Sequence, residues 1–596
     1  MIKYRKAIDK ELFMGSFTFP SKSLEYIKRL TDTKVPTVSI TGFTVPKAEP
    51  KNQRTRQPLD RAAPEETGIP SKRIAEFLRE LYENPDLDIH GVTIVKNGKL
   101  ITEAMFGPYE SDLPQATFSE CKSVISLAIG ILIGEKKLSL DEKVVDIIDG
   151  INAIAKKRYE KLTVEHLLTM RSSSYFNEIG AVIEDDWEKE FFTIVPFGTI
   201  GKTFFYNSLN TYMLACIIRR KAGMTVTEYL RPRLFEPMGI DNIFWEKGPS
   251  GTECGGWGLY ITQEDVAKLG LLALNGGVWN GKQLVPKEYL RLATKAHAKV
   301  PENYGTFDYG YQMWVGKNSD SFLYNGLFGQ NMMCFRNTKT IIAANAGNCE
   351  FFQQSPFCGI CEKYFASEEP AVVLRDDTPT LPKMIKRLER KDFRSERFFA
   401  ARKDKKFTEN MCEKLNGRFC VLPEDKKTTI SVFPVALQVC GNTYGKGLEK
   451  IGFETKDGKF NVSFFEGDDI ISIPIGFSGY EKSEVRLGDL VFKVSAYGRF
   501  IENEDYLPLL KLKFDFIETP CSKTIKLVFD GDRVFYTQEE FPGARFVKYG
   551  INFISDNFLS KGILGKMSID EKFSDAEYLA YKAEAKFSAK ADFNLV

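Results

Sequence analysis

Apolar residues recur at intervals of three to four positions near residue 75. The recurring positions are Ile74, Phe77, Leu78 and Leu81. This spacing places them on one face of a helix, and the preceding Pro70–Ser71 is a typical start signal. Two strand-like runs, 92–95 and 100–102, then flank Asn97–Gly98, a dipeptide typical of a two-residue hairpin turn. The pattern predicts a helix followed by a β-hairpin.

The pattern is mainly helical from about residue 117 to residue 290 and then returns to strands. Residues 331–335 and 340–344 are typical of paired strands around a polar turn. Strands therefore lie at both ends of this region, with helices between them. Such an order predicts an α+β fold, in which an antiparallel sheet of N- and C-terminal strands is flanked by helices and a helical subdomain.

Polar and Pro-containing stretches divide the chain into four parts. Residues 1–66 end in such a stretch and read as an N-terminal arm and linker, followed by the α+β domain over 67–366. Residues 367–409 read as an acidic linker and a charged helix. Hairpin signals then repeat at Asp457–Gly458, Glu466–Gly467 and Asp530–Gly531. We therefore expect a separate all-β domain, a sandwich or a barrel, over 410–596.

Composition supports a folded chain of several domains, since 596 residues exceed what one compact core holds. The formal net charge of +2 favours neither a nucleic-acid nor a membrane partner. The strongest apolar run, about 124–134, is too short to span a bilayer, and the N-terminus lacks the apolar run of a secretory signal. The eleven cysteines are odd in number and scattered, which favours free thiols. We expect a cytoplasmic protein.

The candidate chemistry begins at Ser119, three residues before Lys122. In a helix this spacing puts both side chains on one face, one turn apart. A serine hydroxyl needs a nearby base to become a nucleophile, and a lysine acts as that base when burial or neighbouring cations lower its pKa. The apolar run 124–133 predicts that the helix is buried. The spacing alone also fits a capping serine beside a solvated lysine.

The sequence lacks the residue patterns that other hydrolytic mechanisms require. The chain has three histidines, His90, His166 and His297, and no Gly-x-Ser-x-Gly elbow to accompany a Ser-His-Asp triad. It also lacks the clustered ligands of a zinc hydrolase and the glycine-rich phosphate loop of nucleotide hydrolases. Cys358 and Cys361 form an isolated Cys-x-x-Cys pair without further ligands. No metal or organic cofactor is expected.

The wider sequence resembles the serine β-lactamase and penicillin-binding-protein superfamily. Within it, the chain is most similar to class C-like esterases, D-aminopeptidases and 6-aminohexanoate-dimer hydrolases. The likeness is carried by blocks that stand in the family's order between about residues 60 and 366: 119–150, 162–170, 201–210, 234–241, 276–282 and 325–330. Several weak motifs in one order are far more specific than any single motif.

The resemblance implies a role for each matched residue. Ser119 is the implied nucleophile and Lys122 its base. Tyr206 opens the second motif and would relay a proton between Lys122 and the leaving group. Ser208 would hold Lys122 or contact the substrate. An aromatic core position is the other interpretation of Tyr206, because Phe204 and Phe205 beside it are apolar.

The third motif of the family is matched by Tyr324-Asn325-Gly326. The resemblance implies that these residues and Leu327 bind substrate, and that Leu327 supplies the second oxyanion N–H beside that of Ser119. Tyr324 stands where the family usually has Lys or His, so recognition of the β-lactam carboxylate is not implied. The family's Thr-Ser-Gly sequence is replaced by residues 171–173, Arg-Ser-Ser.

Two further features have more than one interpretation. The acidic segment Asp185-Asp186-Trp187 precedes the second motif. It can be interpreted as a loop that binds an amine, but the sequence favours a solvated loop. Cys121, between Ser119 and Lys122, reads either as a site of oxidative inactivation or as small buried filler.

The sequence thus predicts a serine hydrolase that cleaves a small-molecule or peptide-like ester or amide through an acyl-enzyme on Ser119. The alternative is a non-catalytic binding or sensing protein with a β-lactamase-like fold. No nucleic-acid or membrane partner is expected, and the sequence does not specify the oligomeric state.

Overall fold

A computed structural model describes residues 57–174, 185–194, 196, 198–370, 372–390, 401–423, 428–441, 443–543, 546 and 588–596. The chain divides into two compact units, which among the described residues cover 57–389 and 390–596. The division falls inside the segment 367–409 that the sequence predicts as linker and charged helix. The predicted arm, 1–66, lies outside the described residues up to residue 56.

The first unit is built on a seven-stranded antiparallel sheet with the strand order β2-β1-β12-β11-β10-β9-β8. Its strands are β1 Ile89–Lys96, β2 Lys99–Met105, β8 Phe307–Tyr309, β9 Trp314–Gly316, β10 Ser321–Gly326, β11 Gln330–Phe335 and β12 Thr340–Ala346. Val92 of the N-terminal hairpin faces Ala344 of β12. The predicted sheet of N- and C-terminal strands is therefore confirmed.

Short strands outside this sheet complete the β-structure of the first unit. They are β3 Gln115–Ala116, β4 Phe244–Trp245, β5 Leu259–Ile261, β6 Val278–Trp279 and β7 Lys282–Gln283. The order β3-β5-β4 forms a small sheet, and β6 pairs with β7. Strand β3 ends directly before the turn that carries Ser119, so the small sheet helps to fix that turn.

Helices flank the main sheet and fill the region between its N- and C-terminal strands, as predicted. They are α1 Ser71–Glu83, α2 Lys122–Gly134, α3 Val144–Ile147, α4 Ala153–Arg158, α5 Val164–Leu168, α6 Trp187–Thr193, α7 Ser208–Ala222, α8 Val226–Leu230, α9 Gln263–Leu274, α10 Lys287–Ala293, α11 Phe357–Phe365 and α12 Leu381–Leu388. Helix α9 packs on β1, β11 and β12, while α11 and α12 pack on α1.

Helix α2 lies in the middle of the first unit. Its residues from Lys122 to Leu132 are all buried, and it packs against α7 and α10. An apolar helix of this kind is stable only where protein covers it on all sides. Burial of α2 therefore takes Lys122, its first residue, out of bulk water.

The second unit is a ten-stranded antiparallel meander with the order β16-β15-β14-β13-β22-β21-β20-β19-β18-β17. Its strands are β13 Phe419–Val421, β14 Leu448–Lys456, β15 Lys459–Glu466, β16 Asp469–Ile475, β17 Glu481–Leu487, β18 Leu490–Glu502, β19 Pro508–Asp515, β20 Ser522–Asp530, β21 Arg533–Phe541 and β22 Lys590–Leu595. Two helices belong to it, α13 Ala401–Leu415 and α14 Val435–Cys440.

This meander curves into a nearly closed barrel. Strand β13 pairs with β22, and an isolated bridge joins Gly476, directly after β16, to Tyr497 of β18 at the other end of the strand order. Alternate residues of β15, including Phe460 and Phe464, point into an apolar interior. The predicted C-terminal all-β domain is confirmed. None of the helices in the described part of either unit combines the length and apolar character needed to cross a bilayer.

Candidate active site

Ser119 lies on a short 3₁₀ turn, Phe118–Cys121, that leads directly into α2. Its side chain is partly exposed, whereas Lys122 is 1% exposed. Lys122 Nζ lies 2.8 Å from Ser119 Oγ. The three-residue spacing thus places a reachable hydroxyl against a desolvated amine.

Two further acceptors surround the Lys122 amine. Nζ donates to Ser208 Oγ at 2.7 Å and to the carbonyl oxygen of Gly256 at 2.6 Å. With Ser119 Oγ, these oxygens match the three N–H bonds of a lysine ammonium. A buried cation needs such partners, because each N–H without one would carry a desolvation cost.

Tyr206 and Ser208 are positioned by the start of α7. Asn207 caps this helix, its side-chain oxygen accepting the Leu209 N–H at 2.8 Å. The cap turns the chain so that Ser208 meets Lys122, while the centroid of the Tyr206 ring lies 5.1 Å from Lys122 Nζ. The structure therefore brings Ser119, Lys122, Tyr206 and Ser208 together.

An aromatic wall supports the Tyr206 ring. Trp314 stacks on it with centroids 5.8 Å apart, and Phe352 meets it edge-on at 5.0 Å. Tyr206 itself is 7% exposed. The ring is therefore held by packing, which fixes the direction of its phenol.

The end of β10 approaches the Ser119 turn very closely. A Cβ at Gly326 would collide with the Thr117 carbonyl oxygen, so only glycine fits there. Leu327 follows as the first residue of a second 3₁₀ turn, Leu327–Gly329, and is partly exposed. The N–H groups of Ser119 and Leu327 both belong to the first positions of helical turns, where no intrahelical acceptor exists.

The side chains of the third motif point into the protein. Tyr324 is 1% exposed, burial raises the pKa of its phenol, and its hydroxyl has no hydrogen-bond partner within the described residues. Asn325 donates to Asn331 Oδ1 at 2.7 Å and accepts from Gln353 Nε2 at 3.0 Å. The third motif approaches the nucleophile turn most closely through the backbone at Gly326.

Glu120 lies next to the nucleophile and is also buried. It is 3% exposed, and its Oε1 has no hydrogen-bond partner among the described residues. Burial raises the pKa of this carboxyl well above its ordinary value. Burial of Glu120 therefore favours the protonated form of its carboxyl.

Sequence reasoning missed Gly256, Trp314 and Phe352. Gly256 carried a signal in the sequence, because it belongs to a Gly255–Gly256 pair. In the structure, a Cβ on Gly256 would lie 2.7 Å from that of Ser208. The two aromatic residues carried none. Trp314 and Phe352 reach Tyr206 only through the folding of the β-sheet and its following loop.

The other sequence candidates have structural roles. Asp186 is exposed and caps α6, its Oδ1 accepting the Lys189 N–H at 3.0 Å, while Trp187 packs on Trp257 with ring centroids 5.2 Å apart. Cys358 and Cys361 are buried in α11, and burial raises both thiol pKa values well above normal.

The three histidines have local partners. His166 Nδ1 accepts the Thr163 N–H at 3.2 Å, and His297 Nε2 lies 2.9 Å from the Leu292 carbonyl oxygen. His90 stacks on Tyr109 with ring centroids 3.7 Å apart. No group of His, Cys, Asp or Glu among the described residues could hold a metal ion.

Comparison with known proteins places this site in a family. Residues 75–347 match the family model described as Beta-lactamase. An uncharacterized protein of Alkalihalophilus pseudofirmus is 23% identical, over 36% of this chain and 68% of its own length.

Solved structures are similar at low identity. One from Bacillus anthracis, provisionally assigned as a 6-aminohexanoate-dimer hydrolase, has a TM-score of 0.44 and 19% identity, over 59% of this chain and 94% of its own. A family VIII carboxylesterase has a TM-score of 0.42 and 14% identity, over 52% of this chain and 99% of its own. The family match carries the assignment: residues 75–347 form a domain of the β-lactamase family, which supports serine hydrolase activity.

Proposed function

We propose that this chain hydrolyses an ester or amide bond through an acyl-enzyme on Ser119, with Lys122 and Tyr206 moving the protons. The observation that carries the proposal is the 2.8 Å contact between Lys122 Nζ and Ser119 Oγ in a buried setting. A serine hydroxyl becomes an effective nucleophile when a base takes its proton as it attacks.

The hydrogen bonds around Lys122 orient it as that base. A neutral amine has two N–H bonds and one lone pair. The Gly256 carbonyl can only accept, and Ser208 Oγ provides the second acceptor. Two N–H bonds directed at these oxygens leave the lone pair facing Ser119 Oγ. Lys122 would then take the hydroxyl proton as Ser119 attacks the substrate carbonyl.

The negative oxygen formed by this attack needs donors. The backbone N–H groups of Ser119 and Leu327 meet that need, since both lie in first turns and the close approach at Gly326 brings their segments together. Fixed donors aimed at a developing oxyanion are commonly the largest catalytic contribution in acyl transfer.

Tyr206 completes the proton path. As the tetrahedral intermediate collapses, the bond from the carbonyl carbon to the leaving oxygen or nitrogen breaks. The leaving atom takes the proton that Lys122 received, passed through the Tyr206 phenol. A water molecule then attacks the acyl-enzyme and gives its proton to the same base. Ser119 recovers its proton as the acid product leaves, so the chemistry requires neither a metal nor an organic cofactor.

We further propose that the substrate is uncharged next to the scissile bond. The third motif offers a buried Tyr324 where a cation would bind a substrate carboxylate. Trp314 and Phe352 surround the Tyr206 ring with apolar side chains. Small-molecule or peptide-like neutral esters and amides fit these surroundings better than β-lactams, because Tyr324 replaces the cation that would bind the β-lactam carboxylate.

A cytoplasmic location belongs to the same proposal. All eleven cysteines lie within the described residues, and no disulfide joins any two of them. Free thiols persist in reducing compartments, whereas exported proteins more often pair them.

Acid quenching of turnover tests the acyl-enzyme. The protein is mixed with a panel of neutral p-nitrophenyl esters and 4-nitroanilides, quenched in acid and digested for mass spectrometry. We expect the acyl mass on the Ser119 peptide, and no adduct or turnover in Ser119→Ala. A folded wild type that binds these compounds without turnover or adduct would instead support a non-catalytic binding or sensing protein.

A further inference from the structure

Two phenylalanines adopt a backbone conformation that residues with side chains rarely adopt. Phe118 has a φ of 48° and Phe328 has a φ of 65°, both in the left-handed region. Glycine occupies this region without penalty, whereas a Cβ is crowded there by the neighbouring carbonyl. Such outliers cluster at functional sites, where the surrounding structure holds them in place.

The two residues adjoin the two N–H groups of the proposed oxyanion site. Phe118 directly precedes Ser119, so its ψ sets the plane of the peptide that contains the Ser119 N–H. Phe328 directly follows Leu327, and its left-handed turn reverses the chain just beyond the Leu327 N–H.

The two rings also contact each other. Their centroids lie 5.2 Å apart with an interplanar angle of 80°, the edge-to-face arrangement that aromatic rings favour. Phe328 is 3% exposed, whereas Phe118 is partly exposed. The pair therefore joins two turns that are more than two hundred positions apart in the sequence.

The loop after β12 secures the Phe328 side of this pair. The Phe328 N–H donates to the Glu350 carbonyl at 3.2 Å, and the Asn348 N–H donates to the Phe328 carbonyl at 3.0 Å. Ser355 N–H and hydroxyl donate to the Glu350 carboxyl at 2.7 and 2.8 Å. With both of its backbone groups bonded to this loop, Phe328 has little freedom to leave the left-handed region.

We propose that Phe118 and Phe328 act together as positioning residues, whose ring contact holds the Ser119 and Leu327 N–H groups at the separation that the oxyanion requires. This inference rests on the proposed function. A glycine at either position would relieve the backbone but remove the ring. What the two side chains add to these turns is therefore the ring contact.

Phe118→Leu, Phe328→Leu and the double variant test the pair on the full chain. Loss of one oxyanion donor costs roughly a hundredfold to a thousandfold in kcat, so a misaligned pair should cost roughly tenfold to a hundredfold. KM should change little, because the ground-state carbonyl uses these donors less. Affinity for phenylboronic acid, which forms a tetrahedral adduct with an activated serine, should fall by a factor similar to that in kcat.

The double variant should lose little more than the worse single variant, since either substitution breaks the same contact. Phe77→Leu is the matched control, because Phe77 makes an equivalent edge-to-face contact with Phe365 at 4.9 Å between α1 and α11. That control should keep wild-type kcat and boronate affinity.

Two results would overturn the inference, and they are distinguishable. If wild-type turnover depends on Ser119 but the leucine variants behave like Phe77→Leu, the paired role is wrong. The same holds if the losses in kcat of the two single variants multiply in the double variant. A wild type with neither Ser119-dependent turnover nor boronate binding would remove the proposed function itself, and the positioning role with it.

Discussion

Lys122 Nζ and the Gly256 carbonyl oxygen lie 2.6 Å apart, although 134 positions separate the two residues in sequence. This bond directs one N–H of the amine away from Ser119. It makes Gly256, a residue without a reactive side chain, part of the arrangement that aims the base.

Gly256→Ala should therefore impair catalysis. The added methyl would lie 2.7 Å from Ser208 Cβ, so either Ser208 or the Gly256 carbonyl must shift from Lys122. We expect kcat/KM to fall by roughly tenfold or more, since small displacements of aligned groups have large kinetic effects. Gly359→Ala is a suitable control because a Cβ there meets open space. Wild-type kinetics in a folded Gly256→Ala variant would contradict the role of this carbonyl.

Removal of the base is the stronger perturbation. Lys122→Met keeps an unbranched apolar stem in the buried site but has no proton acceptor. We expect kcat/KM to fall by about two to four orders of magnitude, the usual range for a lost general base. The wild-type rate should rise with pH as the base loses its proton, and this rise should vanish in the variant. The pH–rate profile of each protein checks both statements, and an unchanged rate would exclude Lys122 as the base.

Tyr206 and Tyr324 form a matched pair for the Tyr→Phe substitution. Tyr206→Phe should slow hydrolysis of alkyl esters and amides by roughly a hundredfold or more, because their leaving groups need a proton. p-Nitrophenyl esters, whose leaving group needs none, should be affected far less.

Tyr324→Phe should leave both substrate classes unaffected. It removes a buried hydroxyl without a partner among the described residues, so stability should rise by roughly 1 kcal/mol. Hydrolysis rates with both substrate classes, and the midpoint of urea unfolding, should be measured for Tyr206→Phe and Tyr324→Phe. Equal kinetic losses in the two variants would refute the distinct roles.

Glu120 should make stability depend on pH. Burial raises the pKa of its carboxyl in the folded protein, so between the unfolded and folded pKa values the folded state binds more protons. Stability from this group is therefore fully present below the unfolded pKa and is lost as the pH rises.

The substitution Glu120→Gln removes this loss of stability with rising pH. Relative to wild type, the variant should be increasingly stabilised as the pH rises from 4 to 8, as thermal unfolding across this range would show. A difference that shrinks with rising pH would mean that Glu120 is ionised and paired in the folded state.

Cys121 should resist modification despite its place beside Ser119. It is buried, its thiol lies 3.1 Å from the Gly255 carbonyl oxygen, and burial raises its pKa to about 12. Only a thiolate reacts readily, so iodoacetamide near pH 7.5 should leave Cys121 and activity intact while it alkylates the exposed Cys440. Peptide mapping before and after unfolding gives the comparison. Alkylation of native Cys121 with loss of activity would favour the oxidation-sensitive interpretation.

Local sequence patterns predicted the helices and turns that depend on neighbouring residues. The helix after Pro70 is α1, and the turn at Asn97–Gly98 has positive φ at both residues, as the hairpin signal requires. The Asp457–Gly458 turn behaves in the same way in the barrel. The order of the motifs was enough to identify the family of the first unit.

Features that depend on strand register escaped prediction. Side chains alternate between the two faces of a strand, so whether Tyr324 or Asn325 faces a ligand depends on how β10 pairs with β11 and packs on the Ser119 turn. The contacts of Gly256 and Phe352 likewise join residues that are distant in the sequence. Such contacts follow from tertiary packing, which local propensity does not encode.

Fluorophosphonate labelling tests the central claim most directly. The wild type, Ser119→Ala and Lys122→Met are incubated with the probe, and any adduct is located by mass spectrometry, with circular dichroism as the control for folding. The account predicts a single adduct at Ser119 in the wild type, none in Ser119→Ala and strongly slowed labelling in Lys122→Met. A folded wild type that stays unlabelled, or an adduct that persists in Ser119→Ala, would contradict an activated serine at this position.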